Sequence, residues 1–134
     1  MKSIEIEYSG ELRTLATHPL SGKQLITDAP PDNNGKGEAF SPTDLLATAL
    51  GSCMLTIMGI AGNTHTIDIS GAKVSVEKIM AEEPLRIGEL NIKINLPEKL
   101  SSKERIILER AGRHCPVAKS IHPDINENII FTYI

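Results

Sequence analysis

The chain of 134 residues contains no tryptophan, two phenylalanines and two tyrosines. Its core must therefore be aliphatic, and it offers few aromatic faces on which a base could stack, which weighs against single-stranded nucleic-acid binding. Positive charge is also scarce. Fourteen Lys and Arg stand against 17 Asp and Glu, a formal net charge of −3, and no basic run is long enough to suggest a phosphate-backbone partner. The opening MKSIEIEYSG lacks the apolar core of a signal peptide, so a cytoplasmic location is expected. There is no CxxC, and His18, His65, His114 and His122 show no HxxxH spacing, so no metal site is expected. The glycines of DNNGKGEAF fit neither the Walker pattern nor GxGxxG, which leaves little case for a phosphate cradle. Residues 45–61 carry no charge, yet they fall short of the ~20 apolar residues of a membrane span. Thr48, Gly51, Ser52, Thr56 and Gly59 dilute the run further, and a buried central helix is the better reading.

What is present is 40% hydrophobic, enough for the core of one domain over 1–134. Ile4, Ile6 and Tyr8 alternate with Glu5 and Glu7 as in a half-buried strand, with a turn at Ser9-Gly10. LRTLAT and QLIT read as two further short strands, and 28–40 as an irregular loop rich in Pro, Gly and Asn. Ser41-Pro42-Thr43-Asp44 is a helix start: a capping serine, a proline at the first helical position and an acid at the third. The helix is expected to stop near Gly62-Asn63. It is apolar all round and needs cover on every side, more than a chain this short supplies, so an obligate dimer is expected. Strands follow at about 67–79 and 90–96. Ser101 with Glu104 opens a second helix ending near Gly112, then comes a short helix at Pro116, and NIIFTYI closes the chain as a strand. Strands and helices come in blocks, which predicts an α+β fold with antiparallel sheets.

Two cysteines carry the chemistry. If Pro116 is the first helical residue, Cys115 is the N-cap, facing unpaired N–H groups that favour a thiolate, with Arg113 and His114 adding positive potential. The plainer reading is a half-buried cysteine that happens to precede a proline. Helical spacing sets Cys53 among Leu46, Ala49, Ile57 and Ile60, where burial would keep the thiol protonated and read it as core. Asp44 stands nine residues before Cys53, about 13.5 Å along the axis and on the opposite face, so within one chain it reads as a capping acid. Glu38 in the loop is either solvated or folds over a site.

Together, SPTDLLATALGSCM, HCPVAKSI and the block order of elements resemble the OsmC-like family, which includes the organic hydroperoxide resistance proteins, over nearly the whole chain. The resemblance implies an intertwined homodimer with the long cysteine helices at its centre and active sites at the subunit interface. It implies that Cys53 is the peroxidatic thiol, that Cys115 is the resolving thiol forming a Cys53–Cys115 disulfide, and that a lipoyl-type dithiol is the reductant, with no bound cofactor. Hydroperoxide resistance members carry a glutamate ten residues before the first cysteine, which orients an activating arginine; this chain has Thr43 there. Arg13 is the nearest candidate for the arginine, with Arg86 and Arg113 as alternatives. Asp44 of the partner subunit is the candidate replacement for the glutamate. The expected activity is a thiol-dependent peroxidase acting on alkyl or lipid hydroperoxides. The alternative is a non-catalytic dimer that binds a small lipophilic or thiol ligand in its interfacial pocket. Neither reading involves nucleic acid or membrane.

Overall fold

The alternation of Ile and Glu at the N-terminus forms β1 (Glu5–Gly10), followed by β2 (Arg13–Thr17) and β3 (Gln24–Asp28) in an antiparallel sheet of order β1-β2-β3. The computed structural model describes residues 2–134. The chain divides into two compact units, one ending at Leu46 and the other spanning Ala47–Ile134.

In the first unit the turn after β1 falls at Glu11-Leu12, later than the expected Ser9-Gly10. Both residues have positive φ, 55° and 62°. That is the backbone of a primed two-residue hairpin turn, which matches strand twist but which leucine adopts only under strain. The register that follows sets Arg13 opposite Asp28. The loop to Phe40 is irregular, as expected, apart from a short 3₁₀ turn at Pro31–Asn33. It folds back on itself through Gly37 N–H to the Ala29 carbonyl (3.1 Å) and Asp28 N–H to the Phe40 carbonyl (3.0 Å).

Helix α1 (Pro42–His65) starts where the sequence placed it. Asp44 Oδ2 accepts from Ser41 N–H at 2.9 Å, and Asp44 N–H donates to Ser41 Oγ at 3.1 Å, the reciprocal capping arrangement. The helix runs past Gly62-Asn63 because the left-handed residue that ends it is Thr66, at φ 56°. Ile67 N–H then bonds the Gly62 carbonyl at 2.7 Å, as in a Schellman closure. Within the chain α1 buries one stripe: Ala47, Leu50, Gly51, Met54, Met58 and Gly62. The expected cover on every side is absent from the single chain, and Ile60 is 56% exposed. By length and composition α1 could cross a membrane, with a mean hydropathy of 1.8 over its best window. A helix at the core of a soluble protein passes the same test, and the buried stripe packs against a sheet: a Cβ on Gly51 would lie 2.9 Å from Val76 Cγ2.

That sheet contains β4 (Lys73–Ala81), β5 (Arg86–Leu96) and β6 (Asn126–Tyr133) in the order β4-β5-β6. β4 starts later than expected, because Asp68 Oδ1 takes the Ser70 N–H at 2.9 Å and Gly71 turns the chain at φ 87°. β4 and β5 are antiparallel, but β5 and β6 are parallel, which corrects the expectation of purely antiparallel sheets. The cause is the connection. α2 (Ser102–Gly112) and α3 (Pro116–Ser120) form a crossover that returns the chain to the same end of the sheet. α2 has the expected capping box of Ser101 with Glu104. Leu90, Ile92, Ile94 and Leu96 from one face of β5 join Leu50, Met54, Met58 and Leu108 in the core, each at most 1% exposed.

Candidate thiol pair and arginine clamp

The two cysteines are brought together by a close approach of helices. A Cβ on Gly112, the last residue of α2, would lie 2.9 Å from Met58 Sδ on α1. The missing side chain lets α2 end directly against α1. Three residues later Cys115 is the N-cap of α3, with extended φ −95° and ψ 150° and Pro116 at the first helical position. The Cys53 thiol then adjoins that of Cys115, near enough to act on its protonation. Both cysteines are unbridged.

Cys53, which helical spacing alone set in the core, is half-buried. Cys115, left open between an activated cap thiolate and a half-buried bystander, is 0% exposed. Its Sγ does accept the Ala118 N–H at 3.3 Å, as a cap should. Burial nevertheless pushes the Cys115 thiol up, and the adjoining Cys53 adds to the rise, while the Ala118 N–H opposes it. Loss of water outweighs the Ala118 and Val117 N–H groups at the start of a five-residue helix. The arrangement is thus an accessible thiol beside a protonated, sequestered one.

In the first unit Arg13 is held by two carboxylates. Its Nη2 donates to Asp28 Oδ2 at 3.3 Å and also to Glu38 Oε1. Asp28 is fully buried, and its Oδ2 also accepts the Glu38 N–H at 2.9 Å. That backbone bond, with the Arg13 guanidinium beside it, holds the Asp28 carboxyl below its usual range despite desolvation. Arg13 Nε and Asp28 Oδ1 are buried without a hydrogen-bond partner among the described residues. Sequence reasoning singled out Arg13 and Glu38 but missed Asp28. The available signal was its register: the last residue of β3 faces the first of β2, and the two are of opposite charge.

The other candidates are occupied elsewhere. Asp44 is in the α1 cap. Arg86 donates to the Ile87 carbonyl at 3.0 Å. Arg113 lies over the Phe131 ring at 5.2 Å. Among the described residues no cluster of three or more His, Cys, Asp or Glu could hold a metal.

A thiol on a long apolar helix beside one at the cap of a short helix, in an α+β fold with two three-stranded sheets, is the arrangement of a known class. The sequence profile of the OsmC-like protein family matches residues 35–129. The chain belongs to the OsmC-like family. It is 51% identical to a Psychrobacter arcticus 273-4 protein described as a candidate osmotic stress induced and detoxification response protein, with a TM-score of 0.94 and coverage of 98% of this chain and 96% of that one. An OsmC-like protein from Mycoplasma pneumoniae is 17% identical, with a TM-score of 0.82 over 98% of this chain and 96% of that one. The organic hydroperoxide resistance protein OsmC of Legionella pneumophila is 15% identical, with a TM-score of 0.77 over 98% of both chains. The last two likenesses are of fold. No curated protein matches the sequence.

Proposed function

We propose that the protein is a thiol-dependent peroxidase that reduces alkyl or lipid hydroperoxides in the cytoplasm, as a homodimer. The supporting observation is that a half-buried and a fully buried thiol, Cys53 and Cys115, are neighbours, each free of a bridge. The Cys53 thiolate attacks the terminal peroxide oxygen, the O–O bond breaks, and the alcohol leaves with a proton. Cys53 is now a sulfenic acid. The Cys115 sulfur attacks it, water departs, and the Cys53–Cys115 disulfide carries the two-electron oxidation until a lipoyl-type dithiol reduces it. Arg13 stabilises the Cys53 thiolate and the developing alkoxide. The exposure of the two thiols supports this order of roles, because the peroxide must reach the first thiol and need not reach the second.

The unburied apolar face of α1 supports the dimer, since a second copy would supply the cover that one chain lacks. That apolar wall also favours alkyl over hydrogen peroxide. In the dimer, Asp44 of the partner subunit is the candidate for the carboxylate absent at Thr43.

A second reading, a non-catalytic dimer that binds a small lipophile or thiol metabolite, draws on Thr43 and on the engagement of Arg13 by carboxylates. Steady-state reduction of cumene hydroperoxide with a dithiol, run for wild type and Cys53→Ser, separates them. The peroxidase predicts turnover that Cys53→Ser abolishes. Full turnover by Cys53→Ser excludes the mechanism, and no turnover by wild type, with a Cys53 that resists alkylation, favours the binding protein.

A further inference from the structure

Arg13 faces one negative charge that cannot leave and one that can. Asp28 is the last residue of a strand, with its side chain fully buried and tied to the Glu38 N–H. Glu38 lies on the loop, and its side chain is 64% exposed. Glu11, a third acid nearby, is paired with Lys36 at 3.0 Å and acts on Arg13 only through space, so the acids that touch Arg13 are these two.

We propose that Asp28 and Glu38 have opposite effects on Arg13: Asp28 is the positioning residue that fixes the guanidinium, and Glu38 is a displaceable partner that occupies it at rest. The inference rests on the reading that Arg13 serves Cys53. With both acids engaged, one positive charge meets two negative ones, so little positive potential is left for a thiolate. With Glu38 released, Arg13 keeps its orientation through Asp28 and presents Nη2 to an incoming anion. The Arg13–Asp28 pair resists this exchange, because losing Arg13 would strand the buried Asp28 charge away from water. An exposed loop carboxylate regains its hydration on leaving, so its release costs little. The buried, unpartnered Arg13 Nε and Asp28 Oδ1 fit this division. The pair is held by a single 3.3 Å contact rather than a two-pronged one, so the second partner sets whether the guanidinium is occupied.

The test is the rate of Cys53 alkylation by iodoacetamide from pH 5 to 10, read by peptide mass, for wild type, Arg13→Ala, Asp28→Asn, Glu38→Gln and the Arg13→Ala/Glu38→Gln pair. Glu38→Gln should speed alkylation at pH 7 about threefold, the weight of an exposed ion pair, and move the midpoint to lower pH. Asp28→Asn keeps the shape but not the charge, and should slow it about tenfold and move the midpoint up. In the Arg13→Ala background Glu38→Gln should change nothing. A Glu38→Gln protein with an unmoved or raised midpoint overturns the proposal, as does a gain that persists without Arg13. If Asp28→Asn does not fold, the sign of Glu38→Gln and its dependence on Arg13 still decide. Should Arg13→Ala itself leave the wild-type profile unchanged, the role of Arg13 at Cys53 fails; should it slow alkylation while Glu38→Gln does not speed it, only the division between the two acids fails.

Discussion

Cys115→Ala should destabilise the fold, and by more than Cys53→Ala. Cys115 is 0% exposed, and its Sγ caps α3 by accepting the Ala118 N–H at 3.3 Å. Deleting a buried sulfur, comparable in size to a methylene, costs about 0.8 kcal/mol in transfer, and the cavity left behind adds to this. Losing a weak sulfur cap adds about 0.5 kcal/mol, the low end for capping residues. The sum is about 1.5–2.5 kcal/mol. In a chain of 134 residues that is a fall in Tm of about 5–10 °C. Cys53 is half-buried, so its truncation should cost less than about 1 kcal/mol. The assay is thermal and urea unfolding by circular dichroism with a phosphine reductant present, so that no disulfide contributes. If Cys115→Ala melts with wild type, or Cys53→Ala proves the more damaging, the assignment of sequestered and accessible thiols is wrong.

Leu50, with no exposed surface beneath the sheet, should cost about 2–5 kcal/mol as Leu50→Ala in urea unfolding. Gly112→Val should cost at least about 1–3 kcal/mol by overpacking, because its Cβ would meet Met58 Sδ at 2.9 Å, and should also slow disulfide formation by parting α1 from α2. The Asp28 carboxyl is held below its unfolded value by the Glu38 N–H and Arg13. Its stabilisation is therefore complete above the unfolded pKa of about 3.9 and is lost as pH falls through the folded one. Unfolding titrations below pH 4 should show Asp28→Asn losing less stability on acidification than wild type; equal losses would contradict the pairing.

Much of the frame could be read from the chain because local signals and burial agree there. Ser41-Asp44 and Ser101-Glu104 both form reciprocal caps, and the alternation at Leu90–Leu96 becomes the buried face of β5. The misreadings have particular causes. Gly62 looked like a helix stop, yet it is a close-approach residue: a Cβ there would meet the Ile67 carbonyl oxygen at 2.6 Å, and threonine, a poor left-handed residue, ends α1 instead. The parallel β5–β6 pair depends on the path of a crossover, which no local pattern encodes. The sequence left Cys115 open between an activated cap thiol and a bland one, because its cap geometry could be read while its desolvation could not. Asp28 escaped notice because its partner lies across a register that a strained, unpredicted Glu11-Leu12 turn sets.

As a peroxidase pair, the two thiols would act as one redox unit. Intact-mass spectrometry of the reduced protein after one equivalent of cumene hydroperoxide reads this out. The expected result is loss of two hydrogens, mapped by peptide analysis to a Cys53–Cys115 link, with a gain of one oxygen on Cys53 in Cys115→Ser. An unchanged mass, with both thiols still labelled by iodoacetamide after denaturation, would contradict it.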